Sequence, residues 1–270
     1  MYIDFHTHGK LAKKLPFSTA YTDWLFEEAK GAGLDALCLT EHFNTLQFDE
    51  LYGYLMDSGD REGDTLMTKN GLRIFAGMET DIREGGHILS IGTPEEILEL
   101  NQRLEPYKTA GAFLPFEKLM DLFGEYSVIV GAGHPFREGG HIPQLPEEQL
   151  KRLHFLDLNG KDVAQDPKAA WTQTQSMARA LEIPMVSGSD THQAVQYGCI
   201  LSRFYQEVKT VKELYQQMKL GNYEIIVSDY ASFQVKTAGI LKKALKEIHA
   251  IGGNYVSVLT DKSPCYSHLQ

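Results

Sequence analysis

The chain has 270 residues, 43% hydrophobic and 23% charged, which fits a soluble globular protein, and no run approaches the roughly 20 apolar residues of a membrane span. A net charge of −10 excludes the basic stripe of a nucleic-acid platform, so attraction for an anion must come from bound cations and a few local Lys or Arg. The three cysteines, Cys38, Cys199 and Cys265, stand far apart without a CxxC, which excludes a disulfide framework or thiolate metal site and marks them as reduced structural residues.

The first strand is expected at YIDF (2–5), and it runs straight into "DFHTHG" (4–9). In an extended segment alternate side chains share a face about 6.6 Å apart, so His6 and His8 can converge on one ion. Asp4 and His6 also interrupt any secretory apolar region, and we expect a cytoplasmic protein. A helix follows over 18–32, with Thr22 as N-cap and Trp24, Leu25 and Ala29 as its apolar stripe. DALCLT (35–40) is the second strand, ending at Glu41 and His42. The polar, Gly/Asp-rich stretch 53–71 reads as an insertion loop and a candidate lid. RIFAGM (73–78) ends at Glu79, and HILSIG (87–92) opens with His87. Helices are expected at Pro94–Leu104 and Phe116–Phe123, then a strand at YSVIVGAG (126–133) that delivers His134. Pro135 biases His134 toward extended backbone. A short helix at Pro146–Arg152 leads to strand HFLDLN (154–159), helix Lys168–Leu181 and strand PMVSGS (184–189), which ends at Asp190 and His192. Helix Val211–Leu220, strand YEIIVSD (223–229) and helix Thr237–His249 complete the series.

Strand followed by helix, repeated about seven times, implies a parallel sheet or barrel in one domain over 1–270. In such a barrel the C-terminal strand ends meet at one rim, where active sites form. A random scatter of 10 histidines would not favour strand ends, yet His6, His8, His42 and His134 stand there beside Glu79 and Asp190. Imidazole with carboxylate is the ligand set of zinc, manganese and iron. "REGGHI" occurs at both 83–88 and 137–142. His87 opens a strand and is favoured as a ligand, whereas His141 precedes a Pro-rich loop and is a candidate substrate contact. His154 reads as structural, and His249 and His268 as surface residues.

"DFHTH", "LTEH", "GMET", "HIL", "GHP" and "GSDTH", in this order over residues 1 to about 200, resemble the polymerase and histidinol phosphatase (PHP) superfamily. The resemblance implies a distorted seven-stranded (β/α) barrel of TIM-like type holding two or three divalent ions of zinc, manganese or iron. It implies that His6, His8 and Asp190 hold one ion, that Glu79 bridges to a second completed by His87 and His134, and that His42 and His192 belong to a third. Many members place a further His or Asp just after the HxH, where this chain has "GKLAKKLPFS", so the number of ions stays open between two and three. Lys13 of that segment is a candidate contact for a phosphate oxygen. "LNGKD" (158–162) is similar to a family segment in which Asn159 supports the site by hydrogen bonding.

The activity this implies is metal-dependent hydrolysis of a small phosphomonoester, with ions acidifying a water and neutralising the phosphoryl oxygens. Glu79 and Asp190 would fix the ions and His192 would bind metal or protonate the leaving group. Arg137 would clamp phosphate with two guanidinium donors. The rivals are a hydrolase of the same metal type acting on a phosphodiester or C–N bond, and a non-catalytic metal-binding module.

Overall fold

The computed structural model describes residues 1–260; the expectations for Cys265 and His268 lie outside them. The strands are β1 (Tyr2–Thr7), β2 (Ala36–His42), β3 (Asp60–Glu62), β4 (Thr65–Met67), β5 (Arg73–Asp81), β6 (His87–Gly92), β7 (Ile129–Gly133), β8 (Phe155–Asn159), β9 (Met185–Gly188), β10 (Ile200–Phe204) and β11 (Tyr223–Val227). Around them lie α1 (Thr19–Gly31), α2 (Phe48–Ser58), α3 (Pro94–Arg103), α4 (Phe116–Phe123), α5 (Glu147–Leu150), α6 (Gly160–Gln165), α7 (Pro167–Leu181), α8 (Val211–Leu220), α9 (Ala231–Ala250) and α10 (Tyr255–Thr260).

One mixed sheet runs β11-β10-β1-β2-β5-β6-β7-β8-β9, a path of nine strands with β3 and β4 off it. The path nearly closes on itself, because Asp190 N–H donates to His6 O at 2.7 Å and His8 N–H to Thr191 O at 3.1 Å. Gly188 permits that approach: a Cβ there would lie 2.3 Å from the Cβ of His6. Ile3, Phe5, Cys38, Phe75, Leu89 and Phe155 fill the inside, and a second apolar layer joins the outer strand faces to the helices.

The all-parallel expectation fails at β6. The turn Ile82–Gly86 joins β5 to β6 with no helix between, so β6 is antiparallel to both β5 and β7. His87 therefore opens its strand at the same rim where β5 ends, paired with Asp81. The expected insertion loop is the end of α2 followed by the hairpin β3-β4, whose Leu66 and Met67 pair with Ile74 and Arg73. That is the start of β5, the end remote from Glu79, so the segment is no lid. Arg73 holds the hairpin by donating to Thr65 Oγ1 at 2.8 Å and to Glu62 Oε2 at 2.6 Å. β10 was not foreseen; it pairs antiparallel with β1 and carries β11.

Most helices fall where expected, with differences at their caps. Ser18, not Thr22, caps α1, its Oγ accepting from Tyr21 N, while Thr22 lies inside the helix and donates to Gly9 O at 2.9 Å. Capping boxes Thr93/Glu96 and Thr210/Glu213 start α3 and α8. The helix expected from Thr237 begins at Ala231, and the one expected over Pro146–Arg152 shrinks to α5. Cys38 and Cys199 are free and buried. Among the described residues no helix is long and apolar enough to cross a membrane.

Gly188→Ala should force β9 away from β1 and lower stability by about 1–3 kcal/mol or more, read as a lower denaturant midpoint in equilibrium unfolding. An unaltered midpoint would show that the seam between these strands can open without cost.

Candidate metal centre

The rim begins with an irregularity in β1. Asp4 pairs with Leu37 and Thr7 with Leu39, so β1 spends three residues where β2 spends two. Such a bulge reverses the alternation. Ile3 and Phe5 point into the apolar interior, and past the extra residue His6 and His8 point the same way, onto the site.

All eight residues expected as ligands meet there. Four groups have ligand atoms within 4.8 Å of one another: His6/His8/Glu79, His6/His134/Asp190, Glu79/His87/His134 and His8/His42/His192. Glu79 is the hub, with Oε1 2.6 Å from His87 Nδ1, 3.2 Å from His134 Nε2 and 3.4 Å from His6 Nε2. Its Oε2 lies 2.6 Å from His42 Nδ1 and 3.6 Å from His8 Nε2. Asp190 Oδ1 stands 3.3 Å from His8 Nε2 and 4.0 Å from His6 Nε2. Two of these residues occupy the left-handed backbone region, His134 at φ 32° and Asp190 at φ 55°. Non-glycine residues rarely stay there unless the surroundings hold them. His134 thus departs from the extended backbone expected before Pro135; its N–H donates to Asp157 Oδ2 at 3.3 Å and its carbonyl accepts from Arg137 N at 3.0 Å.

The donor set fits cations. His6 Nε2, both ring nitrogens of His8, His42 Nδ1 and Glu79 Oε2 are buried without a hydrogen-bond partner. Each such orphan costs about 1–3 kcal/mol. Even the 2.6 Å approach of His42 to Glu79 is not aligned as a hydrogen bond, as expected of two groups aimed at a common third point.

The charges tell the same story. Burial would raise Glu79, but His87, His42 and His6 outweigh it and hold the carboxyl well below its usual range. Burial would lower His6, yet Glu79 and Asp190 carry it well above its ordinary value, and His87 is raised against burial to about 9 by Glu79 and Asp81. Burial pushes His42 and His134 down to about 4, and His192 well below its ordinary value. Asp190 is held well below its range because Lys161 and His6 outweigh its burial.

Outside the candidate ligands stands a layer the sequence reading missed. Asp157, fully buried in β8, accepts from His6 Nδ1 at 3.0 Å and from Asn159 Nδ2 at 2.9 Å. Asp81 accepts from His87 Nε2 at 2.9 Å. Because these oxygens accept, His6 keeps Nε2 and His87 keeps Nδ1 for the centre. Asp81 follows Glu79 by two residues, so the period-two argument applied to His6 and His8 would have found it. Asp157 was signalled only by a carboxylate inside an apolar run.

The expected substrate contacts are dispersed. Arg137 spends its donors on Asp190 Oδ2 at 2.7 Å, Asn159 Oδ1 at 2.7 Å and Asp162 Oδ1 at 3.0 Å. Lys13 faces Asp81 Oδ2 at 3.3 Å. His141 is exposed, its ring against Gly85 and its N–H on Gly85 O at 2.8 Å, and it belongs to none of the four groups. The two REGGHI copies thus pack on one another. Of the other histidines, His154 Nδ1 accepts from Val130 N at 2.9 Å, and half-buried His249 sits edge-on to Tyr255. A cleft of about 530 Å³ leaves the rim between Phe136, Arg137, Asn159 and Lys161.

No family model matches the chain, and no curated protein matches it in sequence. Solved structures do match. PsfC from Pseudomonas syringae PB-5123 has a TM-score of 0.73 at 21% identity, over 90% of this chain and 98% of PsfC. Endonuclease Q in complex with a 27-mer duplex carrying an abasic lesion has a TM-score of 0.61 at 18% identity. The lesion-specific endonuclease PfuEndoQ from Pyrococcus furiosus has a TM-score of 0.60 at 20% identity. The match covers 83% of this chain but only 57% of either endonuclease. At these identities the likeness is one of fold.

Loading the metal-free protein should release protons, because His6 and His87 carry them near neutral pH and a ligand nitrogen must give its proton up. Apparent metal affinity should rise with pH at least up to about 9, where His87 deprotonates unaided. Calorimetry in buffers of different ionisation enthalpy reads this directly, and loading with no proton release would contradict it. Asp157→Asn should weaken metal binding about 10- to 100-fold while the protein stays folded.

Proposed function

We propose that the chain is a metal-dependent phosphoesterase of PHP type, hydrolysing a small phosphomonoester. The observation that carries this is the convergence of eight His, Glu and Asp side chains with orphaned buried donor atoms at one rim. In this reading β1, β2, β5, β6, β7, β8 and β9 are the seven strands of the distorted barrel, and β10 and β11 are an antiparallel addition on β1.

His6, His8 and Asp190 would hold one ion, Glu79, His87 and His134 a second, and His42 with His192 a third. When bound, such ions acidify a water near neutral pH and neutralise the phosphoryl oxygens. His192 belongs with ligation rather than leaving-group protonation. Its Nδ1–H is tied to Lys10 O at 2.7 Å and burial keeps the ring neutral, so it has a lone pair to give and no spare proton. Arg137 acts through Asp190: its Nη1, with Lys161 Nζ, fixes the outer oxygen Oδ2 and leaves Oδ1 to the centre. That replaces the direct phosphate clamp expected from sequence. The net charge of −10 and a cleft of about 530 Å³ suit a small ester better than a duplex.

The second reading, a phosphodiesterase, is favoured by the fold shared with endonuclease Q, solved on a DNA duplex with its abasic lesion at the active site. A panel of phosphomonoesters, phosphodiesters and amides assayed with manganese separates the readings. We expect monoester turnover, reduced about 10³-fold or more in Glu79→Gln, since removing a shared ligand costs several kcal/mol. Turnover confined to diesters or amides would transfer the assignment, and no turnover of any class by metal-loaded protein would leave a binding module.

A further inference from the structure

Helix α9 lies far along the chain from every ligand, yet it packs across α6 and across the turn Ala194–Gln196 that follows His192. Lys242 sits on its inward face. Ala238 and Leu245, one turn before and after it, are each 3% exposed, whereas Lys243 and Lys246 are exposed. The Lys242 ammonium is close enough to act electrostatically on His192, Asp190, Glu41 and Lys161. Lys161 leads α6 and places its Nζ 2.9 Å from Asp190 Oδ2. Besides His6 and His8, Asp190 pairs with Arg137 and Lys161, and among the described residues Lys242 has no ion-pair partner.

A half-buried lysine on a helix packed against the one that carries Lys161, with no ion-pair partner of its own, is a costly arrangement for stability alone. It suits a place where an anion arrives. From this geometry we propose that Lys161 and Lys242 form a two-ammonium clamp beside Asp190, taking the non-bridging oxygens of a phosphoryl group held at the metal rim. Two compact point charges on flexible stems fit a tetrahedral oxyanion, which needs no planar fork. Burial and the neighbouring Lys161 lower the Lys242 ammonium to about 8, against the opposing pull of Asp190 and Glu41. The clamp gives α9 a task at the site and names a binding surface distinct from Arg137, Lys13 and His141. It rests on the phosphoesterase reading for the identity of the anion.

The test is calorimetric titration of inorganic phosphate into the manganese-loaded protein, comparing the native chain with Lys242→Met, Lys242→Arg and Lys161→Met. We expect phosphate affinity to fall about tenfold or more in either Met variant, as for loss of one charge-assisted hydrogen bond, and to recover in Lys242→Arg. Metal per chain and Tm should stay unchanged in Lys242→Met. Native-like phosphate affinity in Lys242→Met, a loss that merely tracks lost metal, or no phosphate binding by the native protein would each overturn the clamp. Lysine-dependent phosphate binding by a protein that hydrolyses no ester would uphold the clamp and remove the phosphoesterase reading. Ester hydrolysis with a KM indifferent to Lys242 would do the reverse.

Discussion

Glu79 is a carboxylate with 1% of its surface exposed, and an unpaired charge so placed costs several kcal/mol even after the protein relaxes around it. Its compensation is five imidazoles drawn from four other strand ends and loops: His6 and His8, His42, His87 and His134. Much of the chain's irregular geometry serves that gathering. The bulge in β1 turns two rings inward after an apolar start, and the antiparallel β6 lets His87 enter the rim at the beginning of a strand. The left-handed turns at His134 and Asp190 aim two side chains that a regular strand end would direct elsewhere. Strain at these points is held by backbone hydrogen bonds to Asp157, Arg137 and His6.

Around this hub the charges alternate outward. The ligand layer is mainly imidazole, the next is carboxylate in Asp157 and Asp81, and the outermost is cationic in Arg137, Lys161 and Lys13. Asp157 and Asp81 fix His6 and His87, Lys13 pairs with Asp81, and Arg137 and Lys161 reach through to Asp190 itself. Asp157 is central, because a single oxygen accepts from His6, His134 N–H and Asn159, and Asn159 in turn accepts from Arg137. One continuous chain of hydrogen bonds therefore reaches from His6 to Asp190. Asn159, the last residue of β8, thus stands at one remove from the centre, between Asp157 and Arg137.

What the sequence makes legible is whatever depends on period and position. Alternation places His6 and His8 together, and strand ends place Glu79, His134 and Asp190 at one rim. The bulge was not legible, because one extra residue in a ladder leaves no trace in an apolar run. Nor was the reversal of β6, since REGGHI reads as loop whether a hairpin or a crossover follows. Lys242 left a weak local mark, a cation at an apolar-face position of an amphipathic helix, but only the packing of α9 over α6 shows where that cation points. His141 illustrates the converse. Its local sequence copies that of His87, yet the two copies meet at Gly85 and, among the described residues, only His87 joins a candidate ligand group.

The segment GKLAKKLPFS, which offers no metal-binding His or Asp, is built into the centre by other means. Lys10 is buried, donates through Nζ to Leu46 O, and lends its own carbonyl to His192 Nδ1. Lys13 pairs with Asp81, the carboxylate that orients His87. The segment thus positions two candidate ligands while supplying none. Its effect on the third group follows from charge. The other three groups each contain Glu79 or Asp190, whereas His8, His42 and His192 bring no carboxylate of their own, and burial keeps His42 and His192 neutral. What can offset a cation there is borrowed: Glu41, 3.7 Å from His8 Nδ1, Asp190 Oδ1, 3.3 Å from His8 Nε2, and the shared oxygen of Glu79. Electrostatics therefore ranks this position as the weakest of the centre, and an anionic substrate held by the ions and by the lysines of α6 and α9 is what would fill the deficit.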